Sequence, residues 1–304
     1  MSWDPRALPS ETGRCYVVTG GNAGIGYFTS EQLASTGARV ILASRSAPRA
    51  ERAIASIRAR VPGALVDVVP LDLASLGSVA DAAARLRELG PIDGLINNAG
   101  LVSPSRRRET TVDGLERTIG ANFFGHFALT AQLWPSLTEQ GRVVGLGSMA
   151  TRMVRLDADD LLSEHRYRPF RAYGLSKHAV HGFAFELDRR IRAAGSHRLS
   201  LLAHPGYAVT GLAAAREGIT EQSWLGRAGD RAMGFMAQGK DRGAWPAVRA
   251  VLDPDARSGE FYGPARSVAG PPIAIEPVPS SASPQFGAAL WNLAEQRTGV
   301  SFTV

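Results

Sequence analysis

The chain has 304 residues, of which 44% are hydrophobic and 20% are charged, a balance that is ordinary for a folded globular protein. The formal net charge is +6, but the positive residues are dispersed and no basic stripe with interleaved aromatic residues indicates nucleic-acid binding. The single cysteine, Cys15, excludes an intrachain disulfide and a Cys-rich metal site, and we expect it to be a buried small hydrophobe. Three consecutive arginines, Arg106, Arg107 and Arg108, are interpreted as a solvated loop rather than a phosphate or acidic-partner site.

The N-terminal segment and the hydropathy of the chain indicate where in the cell the protein is expected. Residues 1–14 are polar and lack an apolar core, so we expect no signal peptide. No run approaches the roughly 18 consecutive apolar residues that span a bilayer. We therefore expect a cytoplasmic protein with no membrane span.

Short β-rich apolar runs alternate with longer amphipathic segments. This pattern predicts strands at 15–19, 39–43, 65–70, 92–97, 142–146 and 199–203, and helices at 25–36, 48–61, 75–89, 112–137 and 172–194. The helix at 112–137 contains Gly120, where we expect a break. Beyond Val209 the pattern loosens, with one more strand at 260–262 and a final helix at 286–296. The alternation predicts an α/β fold of the Rossmann type, a doubly wound parallel sheet with helices on both faces, in a single domain over 1–304.

The first strand is followed by a glycine-rich turn that leads into a helix. In a doubly wound sheet the ligand site lies at the carboxyl ends of the strands. The turn has the spacing Gly-x-x-x-Gly-x-Gly, which permits a tight bend and close backbone approach to a pyrophosphate. The helix N-terminus adds free N–H groups and the positive end of its dipole. We predict a dinucleotide site formed here by Gly20, Asn22, Ala23, Gly24, Ile25 and Gly26.

The second strand is followed by Ser44 and Arg45. An acidic residue at this point would accept hydrogen bonds from a ribose 2′-hydroxyl and repel a 2′-phosphate. A hydroxyl and a guanidinium favour the 2′-phosphate instead, and so predict NADP(H) over NAD(H). The alternative is that Arg45 is merely exposed.

Polar side chains also follow the third and fourth strands. The carboxylate of Asp72, followed by Leu73, could accept a hydrogen bond from an adenine amino group, or it could cap the helix that starts near Ser75. The segment 97–100 has the sequence Asn-Asn-Ala-Gly, so Asn98, Ala99 and Gly100 suit packing against a cofactor and joining neighbouring strands.

The fifth and sixth strands end at further candidate residues. Ser148 presents a hydroxyl that could bond a substrate carbonyl oxygen. His204, Pro205 and Gly206 form a turn, and Thr210 follows near the expected position of a nicotinamide carboxamide. We expect His204 to bond neighbouring backbone rather than to act in catalysis.

A phenol and an ammonium lie four residues apart, at Tyr173 and Lys177, inside a predicted helix. Residues i and i+4 share one helix face, and an ammonium beside a phenol lowers the tyrosine pKa. Such a tyrosine can donate or accept a proton near neutral pH. The pair alone also occurs by chance in many helices, so its meaning depends on the motifs at the strand ends.

Taken together, the ordered motifs over roughly residues 14–210 resemble the short-chain dehydrogenase/reductase (SDR) family. The matching residues are Thr19, Gly20, Gly24, Gly26, Asp72, Asn97, Asn98, Ala99, Gly100, Asn122, Ser148, Tyr173, Lys177, Pro205 and Gly206. The chain is most similar to the retinol dehydrogenase and protochlorophyllide reductase branch. That resemblance rests on Ser44 and Arg45, on the segment 122–127, on the 25-residue interval from Ser148 to Tyr173 and on the long C-terminal part.

The resemblance implies a catalytic tetrad. Tyr173 is the general acid in carbonyl reduction and the base in alcohol oxidation. Lys177 binds the nicotinamide ribose and lowers the Tyr173 pKa, while Ser148 orients and polarises the carbonyl. Asn122 holds a water that links Lys177 to solvent. The same resemblance gives a cofactor and catalytic core at 14–210, and a substrate lid and C-terminal extension at 211–304.

The residues expected to face the substrate are mostly apolar. They are Leu101, Val102, Ser148, Met149, Tyr207 and Leu212, to which Phe123, Thr151 and Trp224 can be added. They suggest a hydrophobic ketone, aldehyde or alcohol, as in a tailoring ketoreductase of secondary metabolism, although several would serve equally as core or lid residues. Open alternatives are a same-fold enoyl reductase, dehydratase or epimerase, or a non-catalytic NADP(H)-binding sensor. Family members pair through their two long helices, which allows a homodimer, but the branch includes monomers.

Overall fold

The computed structural model describes residues 3–221, 226, 230 and 237–304. Its strands are β1 (Cys15–Thr19), β2 (Arg39–Ser44), β3 (Val66–Pro70), β4 (Ile92–Asn97), β5 (Leu137–Leu146), β6 (Leu199–Ala203), β7 (Ala208–Val209), β8 (Gln238–Gly239), β9 (Phe261–Pro264) and β10 (Pro272–Ala274). Its helices are α1 (Gly24–Ala34), α2 (Ala47–Arg60), α3 (Leu76–Glu88), α4 (Arg117–Ile119), α5 (Gly125–Leu133), α6 (Ala150–Met153), α7 (Pro169–Ala193), α8 (Lys240–Gly243), α9 (Trp245–Leu252) and α10 (Pro284–Thr298).

Within the described residues, eight strands form one sheet in the order β10-β9-β6-β5-β4-β1-β2-β3. All neighbours are parallel except β9 and β10, which are antiparallel. The strand order reverses between β1 and β4, and in doubly wound sheets the ligand crevice opens at this switch point. The predicted Rossmann-type architecture and the six predicted strands are confirmed.

Side chains along each strand alternate between two hydrophobic cores. In β1, Val17 packs into one core and Val18 into the other, and in β2 Ile41 and Leu42 divide in the same way. A strand that buries both faces needs a continuous apolar sequence, which is why these runs are not alternately polar. Helices therefore cover both faces of the sheet, as predicted.

The C-terminal part contains the predicted strand at 260–262, found as β9, and the predicted final helix, found as α10, and it adds β10, which the sequence pattern did not predict. Strand β9 pairs with β6, and β10 with β9, so this region extends the central sheet. Helix α10 places Trp291 against Phe127 of α5 and Phe183 of α7, with ring centroids 5.3 and 5.8 Å apart. Residues 237–304 are therefore integral to the single domain. No helix of the described part of the chain is long and apolar enough to cross a membrane.

The long helix predicted at 112–137 is wrong at its start. Residues 112–116 form a loop, and the Glu116 carboxylate caps α4 by accepting hydrogen bonds from the N–H groups of Thr118 and Ile119, both at 2.9 Å. The predicted break near Gly120 is confirmed as a π-helical turn over Gly120–Phe124. A 3₁₀ turn at Trp134–Ser136, which contains a proline, then ends the helix.

Candidate active site

The glycine-rich turn after β1 is folded so that only glycine fits at its key positions. Gly20 and Gly24 have φ values of +64° and +58°, in the left-handed region. A Cβ on Gly26 would lie 2.4 Å from the Gly20 carbonyl oxygen. Helix α1 begins here, and its N-cap residue, Ala23, makes no side-chain capping hydrogen bond. The first N–H groups of α1 are thus left for an anion, as the sequence predicts.

A cavity of about 210 Å³ runs from this turn across the ends of β2 and β3. Ser44 is buried, while Arg45 and Arg49 are exposed at its rim. It is lined by Gly20, Asn22, Ala23, Ala43, Ser44, Arg45, Ser46, Arg49, Leu71, Asp72, Leu73, Ala99, Gly100, Leu101 and Ala121.

Two details at this cavity bear on alternatives that the sequence left open. Asp72 does not cap α3, because the Ser75 side chain accepts from the Ser78 N–H in that role. The Asp72 carboxylate instead accepts from the Ala74 N–H at 3.0 Å within a local turn. Arg45 is exposed, as expected if it had no binding role, but it also lines the cavity.

The residues after β4 join two strands across the switch point. The Asn98 side-chain amide donates to the Thr19 carbonyl oxygen at 2.7 Å, and the Ala99 N–H donates to the Thr19 hydroxyl oxygen at 2.9 Å. The Thr19 hydroxyl also lies 2.9 Å from His126 Nε2. The predicted joining role of this turn is confirmed.

A second cavity, of about 190 Å³, lies beside the tyrosine and lysine of α7. It shares Gly100 and Leu101 with the first cavity, so the two are adjacent. It is lined by Ile25, Asn98, Gly100, Leu101, Val102, Leu146, Gly147, Tyr173, Lys177 and Pro205.

Helix α7 directs its functional side chains at the end of β5. The Lys177 ammonium is buried and donates to the Leu146 carbonyl oxygen at 2.6 Å. Burial lowers the Lys177 pKa to about 8. The Ser148 hydroxyl lies near Tyr173 and acts to lower its pKa. The predicted grouping of Ser148, Tyr173 and Lys177 is therefore present.

The expected lowering of the Tyr173 pKa by Lys177 is not found in the protein alone. Burial raises the pKa of Tyr173, and the nearby Ser148 hydroxyl opposes that rise. The Lys177 ammonium lies 5.8 Å from the centre of the phenol ring and is turned toward the Leu146 carbonyl. Ser148, rather than Lys177, is the group that favours the phenolate here.

Asn122 lies in the π-helical turn and is fully buried. Its side-chain oxygen accepts from the Leu101 N–H at 2.8 Å, and its amide donates to the Leu101 carbonyl and to the Ser176 hydroxyl oxygen, both at 3.0 Å. Its backbone carbonyl oxygen lies 2.9 Å from His126 Nδ1. Asn122 therefore fixes the loop that carries Leu101 into both cavities, a role that the sequence did not reveal.

The region 14–217 matches the family model described as short chain dehydrogenase. That region spans more than half of the chain and includes the glycine-rich turn, Ser148, Tyr173 and Lys177.

The chain belongs to the short-chain dehydrogenase/reductase family.

This SDR is similar to named dehydrogenases over most of its length. It is 38% identical to polyprenol dehydrogenase of Mus musculus over 259 residues, which cover 83% of this chain and 75% of the relative. It is 39% identical to human retinol dehydrogenase 13 over 213 residues, or 68% of this chain and 63% of the relative. The predicted placement in the retinol dehydrogenase-like branch is confirmed.

Solved structures agree with the fold. A crystal structure of an uncharacterized protein from Mycobacterium paratuberculosis is 35% identical, with a TM-score of 0.81 over 100% of both chains. An RhlG/NADP active-site complex from Pseudomonas aeruginosa is 25% identical, with a TM-score of 0.61 over 84% of this chain and 95% of that one.

Several of the remaining predicted residues of this SDR line neither cavity. Gly206 has a φ of +67° and donates its N–H to His204 Nδ1 at 3.1 Å, which confirms that His204 bonds neighbouring backbone. Tyr207 is 47% exposed. Half-buried residues that line neither cavity are Ser148, Met149, Thr210 and Leu212.

Part of the predicted lid, which begins at residue 211, lies outside the described residues, and so does Trp224. Its described start is anchored to α1, where Arg216 Nη2 donates to Glu31 Oε1 at 2.7 Å. The side chains of Arg216 and Glu31 are only 14% and 11% exposed, so this ion pair is poorly screened by solvent.

Proposed function

We propose that this SDR is an NADP(H)-dependent oxidoreductase that interconverts a ketone or aldehyde with an alcohol on a hydrophobic small molecule. The observation that carries the proposal is the pair of adjacent cavities sharing Gly100 and Leu101. One presents Arg45, Ser44 and the free N–H groups of α1, and the other presents Tyr173.

The donor set fits a dinucleotide. A backbone cradle with no room for a Cβ at Gly26 suits a pyrophosphate. The guanidinium of Arg45, with no acidic residue in its place, suits a 2′-phosphate. The second cavity, beside Tyr173 and Lys177, suits the nicotinamide half of the cofactor. When bound, the cofactor supplies or takes up the hydride.

The protein's own part is to orient the substrate and to move one proton. In this proposal the Ser148 hydroxyl, next to Gly147 in the wall of the second cavity, bonds the substrate carbonyl oxygen. Tyr173 then gives its proton to that oxygen during reduction, or removes the alcohol proton during oxidation. Lys177 is buried beside Tyr173 and held by the Leu146 carbonyl oxygen, and we assign it the binding of the nicotinamide ribose.

A hydrophobic substrate is supported by two observations. Leu101, Val102 and Leu146 line the cavity beside Tyr173, and Val102 is 53% exposed there. The similar proteins from mouse and human carry names that refer to polyprenol and retinol, which are hydrophobic alcohols. A tailoring ketoreductase of secondary metabolism remains within this substrate class.

The test is a panel of hydrophobic ketones, aldehydes and alcohols assayed with NADPH, NADP⁺, NADH and NAD⁺ in parallel. We expect carbonyl-dependent loss of NADPH absorbance, and a weaker reaction with NADH. Products should be alcohols with their carbon–carbon double bonds and stereocentres unchanged. Reduction of a double bond, loss of water or epimerisation would indicate another reaction on this fold. Cofactor binding with no turnover on any compound would indicate a binding protein.

A further inference from the structure

Helix α7 presents a third functional side chain to the end of β5. Tyr173, Lys177 and His181 are spaced at i, i+4 and i+8, so they form one stripe along the helix. All three face the chain where it leaves the strand: Tyr173 lies near the Ser148 hydroxyl, Lys177 donates to the carbonyl of Leu146 and His181 accepts from the N–H of Ser148.

The contact of His181 with this turn is close and specific. The Ser148 N–H donates to His181 Nε2 at 3.3 Å. A Cβ on Gly147 would lie 2.4 Å from the same nitrogen, so the imidazole occupies the space that a larger residue would need. The ring is 1% exposed and packs edge-on against Phe261, with centroids 5.1 Å apart.

The hydrogen-bond pattern fixes the form of the imidazole. A neutral histidine has one donor and one acceptor nitrogen, and Nε2 must be the acceptor because it faces an N–H. Burial, together with His178, Lys177 and His204 nearby, holds the His181 pKa well below 6.5 and so keeps the ring neutral. Within the described part of the chain, Nδ1 is buried without a hydrogen-bond partner. Such a group costs free energy, so a plain packing role is better served by an apolar side chain.

We propose that His181 is a positioning residue that acts through Ser148, and this inference rests on the proposed function. Four hydrogen bonds hold the turn at Ser148: its N–H donates to His181, its hydroxyl oxygen accepts from the Ala150 N–H at 3.1 Å, and its carbonyl oxygen accepts from the Thr151 hydroxyl at 3.0 Å and from the Thr151 N–H at 3.4 Å. Of these, the bond to His181 connects the backbone of the turn to α7, the helix that carries Tyr173. It therefore sets the position of the Ser148 hydroxyl relative to the phenol.

The test compares His181→Leu, which removes the acceptor, with His181→Gln, whose side-chain oxygen can accept the same N–H. We expect kcat for a carbonyl substrate to fall about 10- to 100-fold in the leucine variant, because small misplacements of reacting groups have effects of that size. The glutamine variant should recover most of the rate. The Kd for NADPH should be unchanged in both.

Two controls separate positioning from general damage. His178→Leu removes a buried histidine one turn earlier on α7, which bonds Ser281 and Val154 but not Ser148, and it should keep a kcat above that of His181→Leu. In a Ser148→Ala background, His181→Leu should cause little further loss of kcat, because residues that act through one group are not additive. A full additional loss in that background, or wild-type kcat in His181→Leu, would overturn the proposal.

A measurement without turnover keeps this inference separable from the proposed function. Hydrogen exchange of the Ser148 amide should be faster in His181→Leu than in the wild type and in His178→Leu. If no carbonyl is turned over but this exchange difference appears, the positioning contact stands and the reaction class is wrong. If turnover is normal and exchange is unchanged, the contact is wrong and the reaction class stands.

Discussion

At the scale of single residues, the proposed preference for NADP(H) rests on positive charge at the rim of the first cavity. Arg45 follows β2 directly, and Arg49 lies one helical turn further on, so both guanidinium groups line the same chamber. A guanidinium forms charge-assisted, bidentate bonds with a phosphate and gains much less from a neutral ribose hydroxyl. The preference for NADP(H) should therefore depend on these side chains rather than on the glycine-rich turn.

We expect Arg45→Ala to weaken NADPH binding about 10- to 100-fold, the range of a hydrogen bond to a charged group, and to change NADH binding little. The measurement is a fluorescence titration with each cofactor. Arg60→Ala, at the exposed end of α2 and away from the cavity, is the matched control. An unchanged ratio of the two dissociation constants would show that Arg45 does not recognise the 2′-phosphate.

At the scale of elements, the parts predicted from sequence are those whose pattern is local. The apolar run of β1 and the glycine spacing before α1 were sufficient to place the cofactor turn. The start of α4 was not, because Glu116 caps that helix with a side chain that resembles any exposed glutamate in sequence. His181 was also missed, although its spacing of four residues from Lys177 was the available signal. Its role depends on the distant Ser148, which periodicity alone does not reveal.

The glycine-rich turn gives a direct test of close packing within an element. We expect Gly26→Ala to abolish measurable cofactor binding, because its Cβ would lie 2.4 Å from the Gly20 carbonyl, and to cost about 1–3 kcal/mol of stability. Gly77→Ala in α3 is the control, since the nearest atom to its Cβ would be 3.8 Å away. That variant should gain about 0.4–1 kcal/mol and keep its affinity. Equal effects of the two substitutions on cofactor binding would contradict the tight cradle.

At the scale of the whole molecule, four buried histidines make folding sensitive to acid. Burial lowers the pKa of His126 and of His204 to about 4, and it lowers the pKa values of His178 and His181 as well. Unfolded histidine titrates near 6.5. The folded state thus binds fewer protons than the unfolded state between about pH 6.5 and 4. The stabilisation from neutral burial is fully present above pH 6.5 and is lost as the pH falls through that window.

We therefore predict that the free energy of unfolding decreases from pH 7.5 to pH 5, by up to about 1.4 kcal/mol per pH unit for each buried histidine. Urea denaturation at several pH values measures this slope. His204→Gln should reduce the slope of the unfolding free energy against pH by the contribution of about one proton taken up on unfolding. His197→Gln, at an exposed position, should leave that slope unchanged. A stability that stays constant between pH 7.5 and pH 5 would show that these imidazoles are not buried in the neutral form.

In the proposed reaction, Tyr173 transfers the proton during carbonyl reduction. Steady-state kinetics of Tyr173→Phe with NADPH tests it most directly, with Tyr167→Phe as the control, because Tyr167 bonds the Ser105 carbonyl outside both cavities. We predict a fall in kcat of at least about 10²-fold for Tyr173→Phe, the scale of general acid catalysis, with the Kd for NADPH retained. Near-normal turnover of Tyr173→Phe would contradict the assignment.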